Sequence, residues 1–215
     1  MKETESWQSV DLPNMPVLYG KLDNETVKYL WKRVKKAEKE KVSYSGNLAG
    51  NISSSLELKD KDDFFYNKTL KTVVSNYFNK YFYRNSTVAN ITFDKEEITG
   101  FRIKNFWVNY QKENEFNPLH NHQGVFSFVV WLKIPFEVED QKLLSGKSNS
   151  PCASTFQFVY TDILGQIRNF EVSLGSANEG EICLFPHSLC HQVYPFFNCK
   201  KDRISLSGNI IFVGK

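Results

Sequence analysis

Beyond about residue 86 the chain is written in short runs rich in β-branched and aromatic residues, each closed by Gly, Pro, Asn or Asp. The runs are TVANITF, ITGFRIKNFWVNYQ, GVFSFVVWLKIPF, STFQFVYTD, IRNFEVSL, GEICLFP and RISLSGNIIFV. This serial pattern restricts the fold more than any other feature. Neighbouring parallel strands need a crossover of a dozen or more residues, usually helical, and no such helix interrupts the series. Seven or eight strands in succession therefore suit a mainly β fold closed by Greek-key connections, a cupin-like jelly roll or double-stranded β-helix. Eighteen phenylalanines and ten tyrosines lean the same way. The polar stretch 141–151 reads as one loop.

The first part of the chain has a different texture. Between residues 24 and 40, Val27, Leu30, Trp31 and Val34 recur at helical spacing behind Asp23 or Asn24 as cap, with lysines toward the far end. A second helical pattern covers 62–82, where Leu70, Val73, Val74, Tyr77, Phe78 and Tyr81 form one apolar stripe. Each helix has one such face to bury and cannot stand alone, so both are expected on the outer side of one sheet. For 215 residues this predicts one domain, with residues 1–85 as a helical elaboration and 86–215 as the jelly-roll core.

Composition narrows the function classes. The formal net charge is +3, and the lysines between 32 and 41 read as a solvated helix face, so there is no electrostatic footprint for nucleic acid. No apolar run reaches the length of a membrane span or a signal peptide, and the four cysteines show no CxxC spacing. A soluble cytoplasmic protein with reduced thiols is expected. The Asn-x-Ser/Thr triplets at Asn24, Asn51, Asn67, Asn85 and Asn90 are then chance matches.

All four histidines fall in two clusters, His120 with His122 in NPLHNHQG and His187 with His191 in FPHSLCHQVYPF. In extended conformation His120 and His122 point to one face and can chelate one ion, with His191 as the distal partner. Imidazole nitrogens suit iron or zinc. On the strand leading into the pair, Trp107, Asn109 and Gln111 share a face whose flat ring and amides suit a pocket wall, although a strand tryptophan can equally be core.

The last strand alternates: Arg203, Ser205, Ser207 and Asn209 on one face, Ile204, Leu206, Ile210 and Phe212 on the other. Two orientations are open. Either the polar face is solvated, or it lines the barrel interior, where an arginine is expensive without a partner and calls for a buried anion such as one end of a dicarboxylate.

These residues resemble the iron(II)- and 2-oxoglutarate-dependent oxygenases, and within them the oxygenases encoded by marine cyanophages and their relatives. The likeness covers LAGNI at 48–52, FWVNYQKENEFNPLHNHQGVFSFVVWLKIPF, PCASTFQFVYTDILGQI, and GEICLFPHSLCHQVYPF through KDRISLSGNI. It implies Fe(II) held by His120, His122 and His191, 2-oxoglutarate clamped at its far carboxylate by Arg203 and Ser205, and dioxygen as the second cosubstrate. Asn109 is the candidate for a hydrogen bond near the metal end of 2-oxoglutarate. The implied reaction hydroxylates a primary substrate, a protein side chain or a small metabolite, with release of succinate and carbon dioxide. A phage-encoded enzyme of this kind would act in the host cytoplasm.

One departure from the wider family is plain. The usual His-x-Asp/Glu has become His-x-His, and no carboxylate lies between Phe116 and Phe136. His122 is then either the third ligand or a neighbour of the metal with water in its place. Two other readings stand beside the first: a three-histidine cupin enzyme that does not use 2-oxoglutarate, and a non-catalytic jelly roll that binds a metal or ligand. His187 has no assigned role.

Overall fold

The computed structural model describes residues 15–82, 98–144, 146, 148–149 and 151–214. The TVANITF run, the Asn85 and Asn90 triplets and the boundary expected at 86 lie outside these residues. In chain order the elements are β1 (Leu18–Lys21), α1 (Asn24–Glu40), β2 (Ser54–Glu57), α2 (Lys71–Tyr77), β3 (Ile98–Gln111), β4 (Asn117–His120) and β5 (Phe126–Lys133). There follow α3 (Val138–Leu144), β6 (Phe156–Thr161), β7 (Ile167–Val172), β8 (Glu181–Pro186), β9 (Cys190–Val193) and β10 (Arg203–Gly214).

Two antiparallel sheets face each other, one in the order β1-β8-β5-β10-β3-β2 and one in the order β4-β9-β6-β7. This is a mainly β double-stranded β-helix. The central strand β5, FSFVVWLK, is buried along all but its last residue, because it is covered on both faces. Phe126, Phe128 and Val130 point toward the helices, whereas Val129 and Trp131 point between the sheets.

Helix α1 starts where the Asp23 carboxylate accepts the Thr26 N–H at 2.7 Å, and ends at Lys41 in the left-handed region. The helical run from 61 to 82 is less regular than its stripe predicts: π-helical turns at Tyr66–Leu70 and Phe78–Phe82 flank α2. Leu30, Val34, Phe65, Leu70, Val74 and Tyr77 join Phe106, Val108, Phe128, Leu184, Leu206 and Ile210 in one buried cluster on the outer face of the large sheet. Phe65 is its hub, with its ring centroid 5.8 Å from Phe106 and 5.6 Å from Phe128.

Three sequence expectations need correction. The N-terminal part is not purely helical, since β1 and β2 extend the large sheet at its two edges, β1 against β8 and β2 against β3. The stretch 141–151 is not loop throughout, because α3 runs to Leu144 and buries Gln141, whose amide bonds the Phe197 backbone in both directions. The polar face of β10 is not solvated: Arg203 and Asn209 are buried, while Leu206 and Ile210 face the helices. Among the described residues no helix is long and apolar enough to cross a membrane.

Candidate metal centre

Strands β4 and β9 pair so that His120 stands directly opposite His191, which puts both side chains on the inner face of the small sheet. His122 is not on that strand. It lies in the turn after β4, and its main chain is tied down by His187: the His122 N–H donates to the His187 carbonyl at 2.9 Å, and His187 Nδ1 donates to the His122 carbonyl at 2.8 Å. His187 thus holds the turn that aims His122. The three rings converge with centroids 4.3 Å (His120–His191), 5.0 Å (His120–His122) and 5.0 Å (His122–His191) apart. One nitrogen from each lies within 4.8 Å of the others.

The tautomers follow from the partners. His120 Nδ1 is 2.7 Å from the Pro118 carbonyl and His191 Nδ1 is 3.0 Å from the Leu189 carbonyl. A carbonyl oxygen only accepts, so in both rings Nδ1 carries the proton and Nε2 keeps its lone pair free. Burial pushes all three imidazoles below their ordinary range, His122 to about 4 and His191 to about 3, with the neighbouring histidines adding to the effect. Three neutral imidazoles with aimed lone pairs fit a divalent iron or zinc ion; the set contains no carboxylate, so it leaves the ion's charge undiminished. Phe156 stacks on His191 at 5.3 Å and Phe185 meets it edge-on at 4.9 Å, closing the back of the site.

The histidines open into a cavity of about 180 Å³ that is also lined by Asn109, Arg203 and Ser205. All six residues singled out from the sequence therefore share one space. Arg203 is 2% exposed. Its Nε and Nη2 donate to Gln111 Oε1 at 3.1 and 2.6 Å, Nη1 donates to the Ser154 carbonyl at 2.8 Å, and the guanidinium lies over the Phe196 ring. Every acceptor is neutral, and among the described residues no carboxylate pairs with it. Burial pulls its pKa down to about 9, which leaves it cationic at neutral pH. A buried cation with only neutral partners is costly and fits an incoming anion. Asn109 Oδ1 accepts from the Ser55 hydroxyl at 2.7 Å.

Sequence reasoning placed Gln111 on the pocket wall but missed its task. It pairs directly with Arg203 across β3 and β10 and anchors its own amide on the Glu115 carbonyl at 2.6 Å. The signal was present: in antiparallel strands a buried arginine needs an acceptor directly opposite. The mouth segment, with Asn47, Leu48 and Ala49 lining the cavity, is laid down by the Asn51–Phe116 bridge and by Glu115, whose carboxylate accepts the Ser53 N–H.

Residues 105–209 match the model of a family described as "Putative 2OG-Fe(II) oxygenase", a little under half of the chain. The match spans the three clustered histidines and Arg203. A prolyl-4-hydroxylase from Pseudomonas putida superposes with a TM-score of 0.50 at 11% identity, covering 93% of this chain and 92% of its own. An oxidoreductase of the 2OG-Fe(II) oxygenase family from Burkholderia pseudomallei gives 0.37 at 14% identity, over 65% and 56%. At these identities the likeness is one of fold. No curated protein matches the chain.

Proposed function

We propose that the chain is an iron(II)- and 2-oxoglutarate-dependent dioxygenase that hydroxylates a primary substrate. The observation that carries this reading is the buried, anion-free guanidinium of Arg203 in the same cavity as three convergent imidazoles. His120, His122 and His191 would hold the iron, Arg203 and Ser205 the distal carboxylate of 2-oxoglutarate, and Asn109 its metal end. Iron, when bound, supplies activation of dioxygen, coupled to decarboxylation of 2-oxoglutarate to succinate and carbon dioxide as the substrate C–H becomes C–OH.

The chain's own part is to bind and orient. Gln111 fixes the guanidinium so that its remaining donors face the cavity, and the carbonyls of Pro118 and Leu189 hold two imidazoles in the tautomer a metal requires. Phe156 and Phe185 exclude water behind His191. On the segments that carry the resemblance, we place the protein among the oxygenases of marine cyanophages, acting in the host cytoplasm.

The all-histidine donor set favours one competing reading, a cupin enzyme that works without 2-oxoglutarate. Titrating 2-oxoglutarate into the anaerobic iron(II) protein and following the charge-transfer absorption separates the two. Binding in the wild type and its loss in Arg203→Ala, with lysine rescuing only in part, supports the dioxygenase. Absence of binding in the wild type leaves the cupin. Elemental analysis of His120→Ala, His122→Ala and His191→Ala should show most of the metal lost, with His187→Ala retaining it.

A further inference from the structure

Strands β3 and β10 present a ladder of inward-facing pairs to the cavity: Gln111 with Arg203, Asn109 with Ser205, and Trp107 with Ser207. Successive rungs are two residues, about 7 Å, apart. Under the reading of Arg203 as the 2-oxoglutarate clamp, a five-carbon dicarboxylate spans roughly one such step. It reaches the Asn109–Ser205 rung and leaves the Trp107–Ser207 rung free.

Trp107 is 3% exposed. Its ring is held by a stack on Tyr44 at 5.1 Å and meets His122 edge-on at 5.9 Å, yet its indole N–H has no acceptor. On the opposite side of the same cavity, Asn117 Oδ1 is also buried and has no donor. Orphans of this kind are rare in native proteins, and an indole nitrogen can only donate. Two orphans of opposite sense, both beside the histidines, describe a ligand that offers one acceptor and one donor. The lining holds no Asp, Glu or Lys, and Arg203 sits two rungs away, so a charged group at this end would be stripped of water with nothing to receive it.

We infer that Trp107 and Asn117 form the primary-substrate subsite, and that the substrate enters as an uncharged amide. Its C=O accepts from Trp107 Nε1 and its N–H donates to Asn117 Oδ1. The amide is thereby held beside the three histidines and away from the Arg203 end.

The test uses the full chain, ¹⁵N-labelled and loaded with zinc as a diamagnetic ion. The four tryptophans give separate indole N–H resonances, and Trp107→Phe identifies that of Trp107; if this variant does not fold, Phe variants of the other three assign it by elimination. N-methylacetamide is the amide probe, and methyl acetate keeps the carbonyl but lacks the N–H. The expected result is a saturable shift of the Trp107 resonance with the amide, several-fold weaker binding of the ester, and loss of that preference in Asn117→Leu.

No shift with amide up to molar concentration overturns the inference, as does equal binding of the ester. A Trp107 shift already complete with 2-oxoglutarate alone also overturns it and gives the N–H to the cosubstrate. Calorimetry of 2-oxoglutarate on the same sample is scored separately: an amide response without 2-oxoglutarate binding keeps the subsite and removes the proposed reaction.

Discussion

The two faces of β10 belong to regions built on different rules. Outward, Leu206 and Ile210 are completely buried in a continuous aromatic and aliphatic cluster under the helices. Inward, Arg203, Ser205 and Ser207 line a cavity shared with three histidines. The comparison teaches where the fold draws its stability. Much of the hydrophobic burial lies outside the barrel, between the large sheet and the helices, so part of the interior can hold polar groups whose burial by itself is unfavourable. The helical elaboration is thus what permits a polar interior.

The largest effect should come from the outer region. Phe65→Ala removes the ring between Phe106 and Phe128 and should cost about 3–5 kcal/mol in urea unfolding, while the folded fraction keeps its metal. Loss of metal from molecules that remain folded would show that the two regions are not separable. Inside the barrel, Arg203→Leu should weaken 2-oxoglutarate by about 2–5 kcal/mol, yet leave folding stability unchanged or higher, since a buried cation without its anion is replaced by an apolar side chain. A collapse in stability would make Arg203 a structural residue. Gln111→Ala should have the same sign and a smaller size, about 1.5–3 kcal/mol of 2-oxoglutarate affinity as its charge-assisted bonds are lost, with iron content unaffected.

The smallest effect is set by pH. The folded protein keeps His122 and His191 neutral down to about 4 and about 3, whereas an unfolded chain protonates them near 6.5. Between those limits the unfolded state binds more protons, so the metal-free protein loses stability as pH falls below about 6.5, by at most roughly 1.4 kcal/mol per pH unit per histidine. Urea midpoints from pH 7.5 to 4.5 should fall more steeply in the wild type than in His191→Leu. Parallel profiles would mean that the interior region is hydrated.

How far these regions are legible in advance varies with element length. The long runs became β3, β5, β6, β7, β8 and β10, and the Asp23 cap with its apolar stripe became α1. The strands β1, β2, β4 and β9, of four residues each, escaped because so short a segment carries no period. Helix α3 escaped because it buries one polar residue, Gln141, and so shows no apolar stripe. The histidine clusters and the alternation of β10 were visible, whereas the holding role of His187 was not, because it acts on the His122 main chain through a turn.

The sequence by itself determined that β10 has two unlike faces and that four histidines come in two groups. A period of two says that the faces differ and is silent on which one looks inward. The tertiary structure decided that. The apolar face of β10 is claimed by Phe65, Val74 and their neighbours on the helices, which have nowhere else to bury their stripes, and Arg203 is turned inward as a consequence. It also decided that His120 and His191, far apart in the chain, stand opposite each other, because β4 finds β9 through the closure of the small sheet. Such pairing is a non-local choice among strands, made by burial of whole faces, and no local pattern of residues encodes it.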